Sequence, residues 1–158
     1  MANATKVALI TGANKGLGLE MARQLGRAGV TVVLAARDPE KGEAAAEALR
    51  REGIDAQFLK LDVTNRQDHA AAAKFVEQNF GRLDILINNA GISMEQFGSG
   101  WPSITTDEVI QQTFDTNFSA PVALTRVLLP LLKNSEGARI VNMSSILGST
   151  LRHRAIRS

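Results

Sequence analysis

Short apolar runs alternate with longer segments of helical periodicity along most of this chain. The runs are rich in β-branched residues, which is typical of buried strands. Five strands are predicted on this basis, at residues 7–10, 30–35, 56–61, 83–87 and 138–143. Because the runs are almost continuously apolar, both faces of the sheet should be covered, as they are in parallel sheets.

The segments between the strands carry signals for helix starts. A first helix is predicted over residues 16–28, directly after the first strand. Asp38 can cap a second helix, with Pro39 at its first position, where no N–H is needed. Pro121 predicts a kink or break near residues 117–121 of the last helix. Two further helices have the start signal of a capping box, Thr64-x-x-Gln67 and Thr105-x-x-Glu108.

The alternation of strands and helices limits the possible topologies. Right-handed crossovers favour a doubly wound, Rossmann-like α/β fold with a parallel sheet of about five strands in the order 3-2-1-4-5. A length of 158 residues is that of one domain, so residues 1–158 are expected to form a single Rossmann domain. Residues 91–103 are interpreted as a surface or substrate-side loop, and residues 149–158 as an irregular tail.

Composition narrows the class of protein. With 44% hydrophobic and 22% charged residues, the chain is typical of a soluble globular domain. The formal net charge is only +2 and charges of both signs alternate, so no nucleic-acid partner is expected. The basic cluster at residues 152–157 is interpreted as a solvated end.

The sequence shows no targeting signal that would lead away from the cytoplasm. No apolar run approaches the ~20 residues of a membrane span, and the first residues contain no signal-peptide core. The chain has no cysteine, which fits a reducing compartment. We therefore expect a cytoplasmic protein with no membrane association and no metal site.

The segment between the first strand and the first helix has the sequence Thr-Gly-x-x-x-Gly-x-Gly, from Thr11 to Gly18. Gly12 permits a tight turn, while Gly16 and Gly18 let the backbone and the helix approach a diphosphate. The N-terminus of the helix offers free N–H groups and a positive dipole end to such an anion. The alternative is a tight turn that binds no ligand.

The end of the second strand bears on the choice between NAD and NADP. NAD-binding proteins usually carry an acidic residue there, which binds the ribose 2′-hydroxyl. This chain has Arg37 at that position, and Lys15 adds a second positive charge. A guanidinium group matches a 2′-phosphate, and Asp38 has a sufficient role as a helix cap. NADP (NADPH) is therefore the predicted cofactor.

Polar residues also follow the remaining strands. Asp62-Val63 comes where an adenine would lie, although Asp62 could equally cap the next helix. Asn88-Asn89-Ala90-Gly91 follows the fourth strand, and Gly91 would allow a close approach to a nicotinamide ribose. Ser144-Ser145 ends the fifth strand; these serines could hold a substrate carbonyl or simply form a turn.

In combination these motifs resemble the short-chain dehydrogenase/reductase family, and especially its NADP-dependent carbonyl reductase-like branch. The resemblance runs from about residue 6 to residue 148. It implies hydride transfer between a nicotinamide and a small-molecule carbonyl or alcohol substrate. It also implies that Asn117 holds a proton-relay water and that Ser145 is the catalytic serine. The implied cofactor contacts are Gly12, Asn14, Lys15, Gly16, Leu17, Gly18, Arg37, Asp62, Val63, Asn88, Ala90 and Gly91.

One element of the family's active site has no counterpart. The family uses Tyr-x-x-x-Lys, in which the lysine and the nicotinamide charge lower the pKa of the tyrosine so that it serves as general acid. This chain contains no tyrosine, and beyond Ser145 only His153 and arginines are candidates. Impaired turnover is therefore expected. The alternatives are a catalytically inactive NADP-binding module and a non-functional fragment.

The family's later strands and substrate segment are also missing from the sequence. The strand at 138–143 would then present an open edge beside Ile140 and Val141, and such an edge can pair with another chain. The last helix would expose an apolar face. A homo-oligomer or an aggregation-prone species is expected. The residues assigned to the exposed helical face are Val122, Leu128, Leu129 and Leu132.

Overall fold

A computed structural model describes residues 5–92 and 106–145. Its centre is a five-stranded sheet in which every pairing is parallel, in the order β3-β2-β1-β4-β5. This confirms the predicted Rossmann-like α/β fold, and the predicted strand ends are correct to within two residues. The strands are β1 (Val7–Thr11), β2 (Thr31–Ala36), β3 (Ala56–Lys60), β4 (Ile85–Asn88) and β5 (Arg139–Asn142).

Helices connect the strands. In chain order they are α1 (Gly16–Arg27), α2 (Pro39–Arg51), α3 (Arg66–Phe80), α4 (Asp107–Phe114) and α5 (Ala120–Lys133). Asp38 caps α2 as predicted, because its side chain accepts a hydrogen bond from the amide of Lys41. Within the described part of the chain no helix is long and apolar enough to cross a membrane.

The predicted capping box at Thr64 is wrong. The cap of α3 is Asn65, whose side chain accepts from the amide of Gln67. The hydroxyl of Thr64 instead donates a hydrogen bond to the side chain of Asp62, so it does not cap the helix. At the start of α4, Thr106 is the cap and accepts from the amide of Val109, while Thr105 lies outside the described residues.

The predicted kink near Pro121 takes the form of a π-helical turn. This turn covers Asp115–Ser119 and joins α4 to α5 without interruption. Pro121 has no N–H to donate to the carbonyl of Asn117, four residues earlier, so the regular α-helical bond cannot form there. Such turns widen the helix locally and often occur at functional sites.

Apolar side chains cover both faces of the sheet. On one face, Leu9 and Leu86 pack with α3 and α5. On the other face, Ile10 and Leu34 pack with α1 and α2. Neighbouring residues of one strand point to opposite faces, so β1 contributes to both clusters. This two-sided burial fixes the register of the central strands. Because the strands are parallel, their carboxyl ends lie together at one edge of the sheet.

The outer strand β5 and parts of α5 are exposed. Ile140 and Val141 of β5 are 44% and 41% exposed. On α5, Val122 and Leu129 are also exposed, as expected. The same expectation is wrong for Leu128 and Leu132, which are buried against α3 and the sheet because they share the helix face of Leu124 and Leu131.

A buried carboxylate holds the amino ends of the central strands together. The side chain of Asp84 is only 10% exposed. It accepts hydrogen bonds from the amide of Val7, the hydroxyl of Ser135 and the Nε of Arg82. Burial alone would raise the pKa of Asp84, but these donors outweigh it and lower the pKa below its usual value. Asp84 therefore supports the β1–β4 pairing from the end opposite the polar strand ends.

Asp84→Asn should lower the free energy of unfolding by about 1–3 kcal/mol at neutral pH, because the amide NH₂ would face groups that are themselves donors. The contribution of the carboxylate is complete above the ordinary Asp pKa of about 3.9 and is lost as the pH falls through the lower folded-state pKa. The difference in free energy of unfolding between the two proteins should therefore decrease below about pH 4. Urea unfolding at several pH values measures it, with the exposed Glu77→Gln as control. A pH-independent gap would contradict this role.

Candidate functional site

A cavity of about 420 Å³ lies at the carboxyl ends of the strands. Ligands of open α/β sheets bind at this edge, where the strand order reverses between β1 and β4. Ten of the twelve predicted cofactor residues line the cavity, and only Gly18 and Asn88 do not. The predicted catalytic residues Asn117 and Ser145 do not line it either. Its lining consists of Gly12, Asn14, Lys15, Gly16, Leu17, Ala36, Arg37, Leu61, Asp62, Val63, Thr64, Asn89, Ala90, Gly91, Ile92 and Thr116.

The glycines after β1 serve different purposes. Gly12 and Gly16 have φ values of +63° and +59°, which side chains disfavour. A Cβ on Gly16 would have no neighbour within 4 Å, so this glycine leaves the loop surface open. A Cβ on Gly18 would lie 2.5 Å from the side-chain nitrogen of Asn89 and 2.6 Å from the carbonyl oxygen of Gly12. Gly18 therefore permits close packing of α1 and does not itself face the cavity.

The first turn of α1 is suited to an anion. Lys15 is its N-cap and provides no side-chain hydrogen bond to the helix. No acidic residue occupies that first turn either. The N–H groups of this turn therefore stay free, and the positive end of the helix dipole lies beside the cavity, which Lys15 and Gly16 line.

Two cations border the cavity. Among the described residues, neither Lys15 nor Arg37 forms a salt bridge. Asp38, the residue that could have favoured NAD, pairs with Lys41 and caps α2, which supports its structural interpretation. Arg37, at the end of β2, thus has no direct ion pair among the described residues, although its charge acts on the nearby Asp62.

Asp62 forms a turn at the end of β3. Its Oδ1 accepts from both the amide and the hydroxyl of Thr64, at 2.9 and 2.7 Å. Burial would raise the pKa of Asp62, but the two Thr64 bonds and the charge of Arg37 together lower it. The carboxylate is therefore anionic at neutral pH. It does not cap α3, since Asn65 does.

Thr11 and Asn89 join the glycine turn to the segment after β4. The hydroxyl oxygen of Thr11 accepts from the amides of Asn89 and Ala90, at 3.0 and 2.9 Å. The Asn89 side chain donates to the carbonyls of Thr11 and Gly12. Both lie in the motifs that predict the site, but neither is among the predicted cofactor contacts. The signal was available, because both are polar residues at the ends of neighbouring buried strands.

Asn88 points away from the cavity. Its side-chain nitrogen donates to Oδ1 of Asn142 at 2.8 Å and to the hydroxyl of Thr125 at 3.3 Å. Asn88 is buried, and these bonds connect β4 to β5 and to α5. The structure therefore gives Asn88 a supporting position behind the site, where the sequence predicted a cofactor contact.

Asn117 connects the π-helical turn to the loop after β4. Its Oδ1 accepts from the amide of Ile92, and its Nδ2 donates to the Ile92 carbonyl, both at 2.8 Å. A Cβ on Gly91 would lie 3.3 Å from Oδ1 of Asn117, so the loop passes close to the helix. The neighbouring Thr116 reaches the cavity, and Asn117 holds that wall in place.

Comparison with known proteins identifies the family. The sequence profile of the short chain dehydrogenase family matches residues 6–155. The chain belongs to this family. It is 42% identical to short-chain dehydrogenase/reductase 1 of Saponaria officinalis, over 90% of this chain and 54% of that protein. It is 40% identical to carbonyl reductase [NADPH] 1 of Mus musculus, over 93% of this chain and 51% of that protein.

A solved member of the family has the same fold. A metagenomic short-chain oxidoreductase in complex with NADP superimposes with a TM-score of 0.80 at 35% identity, covering 89% of this chain and 62% of that one. The chain spans about half the length of the curated relatives it matches.

Ser145, the predicted catalytic serine, lies at the same edge of the sheet. Ser144 and Ser145 are exposed and lie just beyond the carboxyl end of β5, after Met143. In the sheet, β4 lies between β1 and β5, the strand that Ser145 follows. Ser145 is therefore on the β5 side of the cavity and does not line it. The loop at 93–103, the tail at 149–158 and His153 lie outside the described residues.

Proposed function

We propose that this chain binds NADP(H) as part of a short-chain oxidoreductase, which transfers hydride between the nicotinamide and a small-molecule carbonyl or alcohol. The observation that carries the proposal is the pairing of an uncapped helix N-terminus with the charges of Lys15 and Arg37 around one cavity. A dinucleotide with a 2′-phosphate is the cofactor chemistry that would use all three features.

The residues at the cavity fit such a cofactor. The open surface at Gly16 and the first turn of α1 would take the diphosphate. Lys15 and Arg37 would bind the 2′-phosphate, and Asp62-Val63 would border the adenine. Gly91, beside Asn117, would admit the nicotinamide ribose. When bound, NADPH supplies the hydride, and the protein contributes binding and orientation.

Relatives support the chemistry. The mouse relative is named as an NADPH carbonyl reductase, and the metagenomic oxidoreductase was solved with NADP. Ser145 would hydrogen-bond the substrate oxygen, and Asn117 would hold a water for proton transfer, as the family resemblance implies. A cytoplasmic location and a single domain over residues 1–158 stay predictions.

A second candidate is a binding module without turnover. It is favoured by the composition, because the 158 residues include no tyrosine and hence no counterpart of the family's general acid. The two candidates share the same cofactor site and differ only in catalysis, so they are separated by measuring binding and turnover on one sample.

Arg37→Ala should weaken NADPH binding by about 1–3 kcal/mol, the scale of a charge-assisted hydrogen bond, and leave NADH binding almost unchanged. Fluorescence titration of both nucleotides measures this. Arg51→Ala, at the far end of α2, is the matched control and should change neither affinity. Equal affinity of the unmodified chain for NADPH and NADH would contradict the NADP assignment.

Carbonyl reduction by the 158-residue chain should be at or near background, since loss of a general acid typically costs ~10²–10⁴ in rate. NADPH oxidation with a panel of aldehydes and quinones tests this. The nucleotide titration on the same sample shows whether the cofactor site is folded. Robust turnover that is lost in Ser145→Ala would show that another group supplies the proton.

Self-association is the remaining part of the proposal. Ile110, Phe114, Phe118 and Val122 recur every four residues from α4 through the π-helical turn into α5. All four are exposed, and Phe118 is 58% exposed. These residues, and separately the exposed apolar residues of β5, are of the kind that proteins bury against a partner. A homo-oligomer is the proposed state.

Analytical ultracentrifugation at micromolar concentration should give a mass above the 17.0 kDa of one chain. Ile110→Glu should shift the distribution towards monomer, because burying an unpaired carboxylate opposes association. A single monomeric boundary with cooperative thermal unfolding would refute the proposed oligomer.

A further inference from the structure

One wall of the cavity is held from behind by the first turn of α3. The wall is the backbone of Asp62 and Val63, both of which line the cavity. Asp68 accepts a hydrogen bond from the amide of Asp62 through its Oδ2, at 2.8 Å. The Nε2 of His69 lies 2.7 Å from the carbonyl oxygen of Val63. Consecutive residues of one helix thus bind consecutive residues of the wall.

The hydrogen bond of His69 is directional. A carbonyl can only accept, so Nε2 carries the proton and donates. His69 is 1% exposed, which protects this bond from competition with water. Within the described residues its Nδ1 has no hydrogen-bond partner, so Val63 is the one group there that the imidazole nitrogens bond.

The helix itself is fixed independently of these two side chains. Asn65 caps α3, and the amide of His69 donates to the carbonyl of Asn65 within the first turn. Further along, Ala72 and Val76 anchor α3 in the core. A first turn that is rigidly placed can transmit its position to the wall through Asp68 and His69.

We propose that Asp68 and His69 are positioning residues, which hold the Asp62–Val63 wall in the geometry that receives the adenine half of the cofactor. This inference rests on the proposed function, because it assumes that a nucleotide occupies the cavity. Neither side chain lines the cavity, so each acts on the ligand only through the wall.

The test uses adenosine 2′,5′-bisphosphate as the probe and isothermal titration calorimetry on the full 158-residue chain. His69→Leu fills similar space but cannot donate, and it should weaken binding about three- to tenfold, the range expected for one neutral hydrogen bond. His69→Gln places a donor nitrogen the same number of bonds from Cβ and should restore most of the affinity. Asp68→Asn keeps an acceptor oxygen and should bind better than Asp68→Ala.

A control separates positioning from general stability. Ile54→Ala removes buried volume from the core on the other face of the sheet, just before the amino end of β3, and should lower the melting temperature without changing affinity for the probe. Affinity losses that follow the melting temperature across all variants would overturn the inference. So would unchanged binding by His69→Leu. Failure of the unmodified chain to bind the probe would instead overturn the proposed NADP(H) site.

Discussion

The parallel pairing of β1 with β4 is the constraint on which the rest of the structure depends. It places the glycine turn beside the Asn-Asn-Ala-Gly segment, because both segments leave the same edge of the sheet. Thr11 and Asn89 close this junction at the carboxyl end, and Asp84 closes the opposite end. Gly18 completes it by leaving no side chain where α1 meets Asn89.

The site combines rigid walls with positive groups that form no direct ion pair in the described structure. Its rear wall consists of backbone segments that hydrogen bonds fix from behind, at Thr11, at Asn117 and at the start of α3. Its charge comes from a helix terminus and from Lys15 and Arg37, which pair with no carboxylate in the described structure. Preorganised donors of this kind bind an anionic ligand without the cost of reorganising the protein.

The polar residues around the site divide into two groups by direction. Arg37 and Lys15 face the cavity, whereas Asn88 and Asn117 bind the protein and hold its walls. A dinucleotide is long, so it needs several wall segments to be aligned at once. This explains why much of the local hydrogen bonding connects one strand end to the next and does not face the ligand.

The residue pattern alone predicts the fold class, the strand order and the position of the glycine turn. Buried parallel strands have a continuous apolar pattern, and tight turns need glycine, so both leave local signals. Pro121 likewise predicted a break where the π-helical turn lies, because its missing N–H is a property of the residue alone. The cap at Asp38 followed from the same kind of local chemistry.

The direction in which individual polar and apolar side chains point follows from the folded structure and not from the local pattern. Asn88 turns to Asn142, more than fifty residues later in the chain, and no local pattern encodes that choice. Leu128 and Leu132 are buried while Leu129 is exposed, because the phase of α5 against the sheet is set by packing. Thr64 bonds Asp62 and leaves the cap of α3 to Asn65. The first two outcomes depend on contacts between residues far apart in the sequence, and the third depends on which of two neighbouring side chains reaches the start of α3.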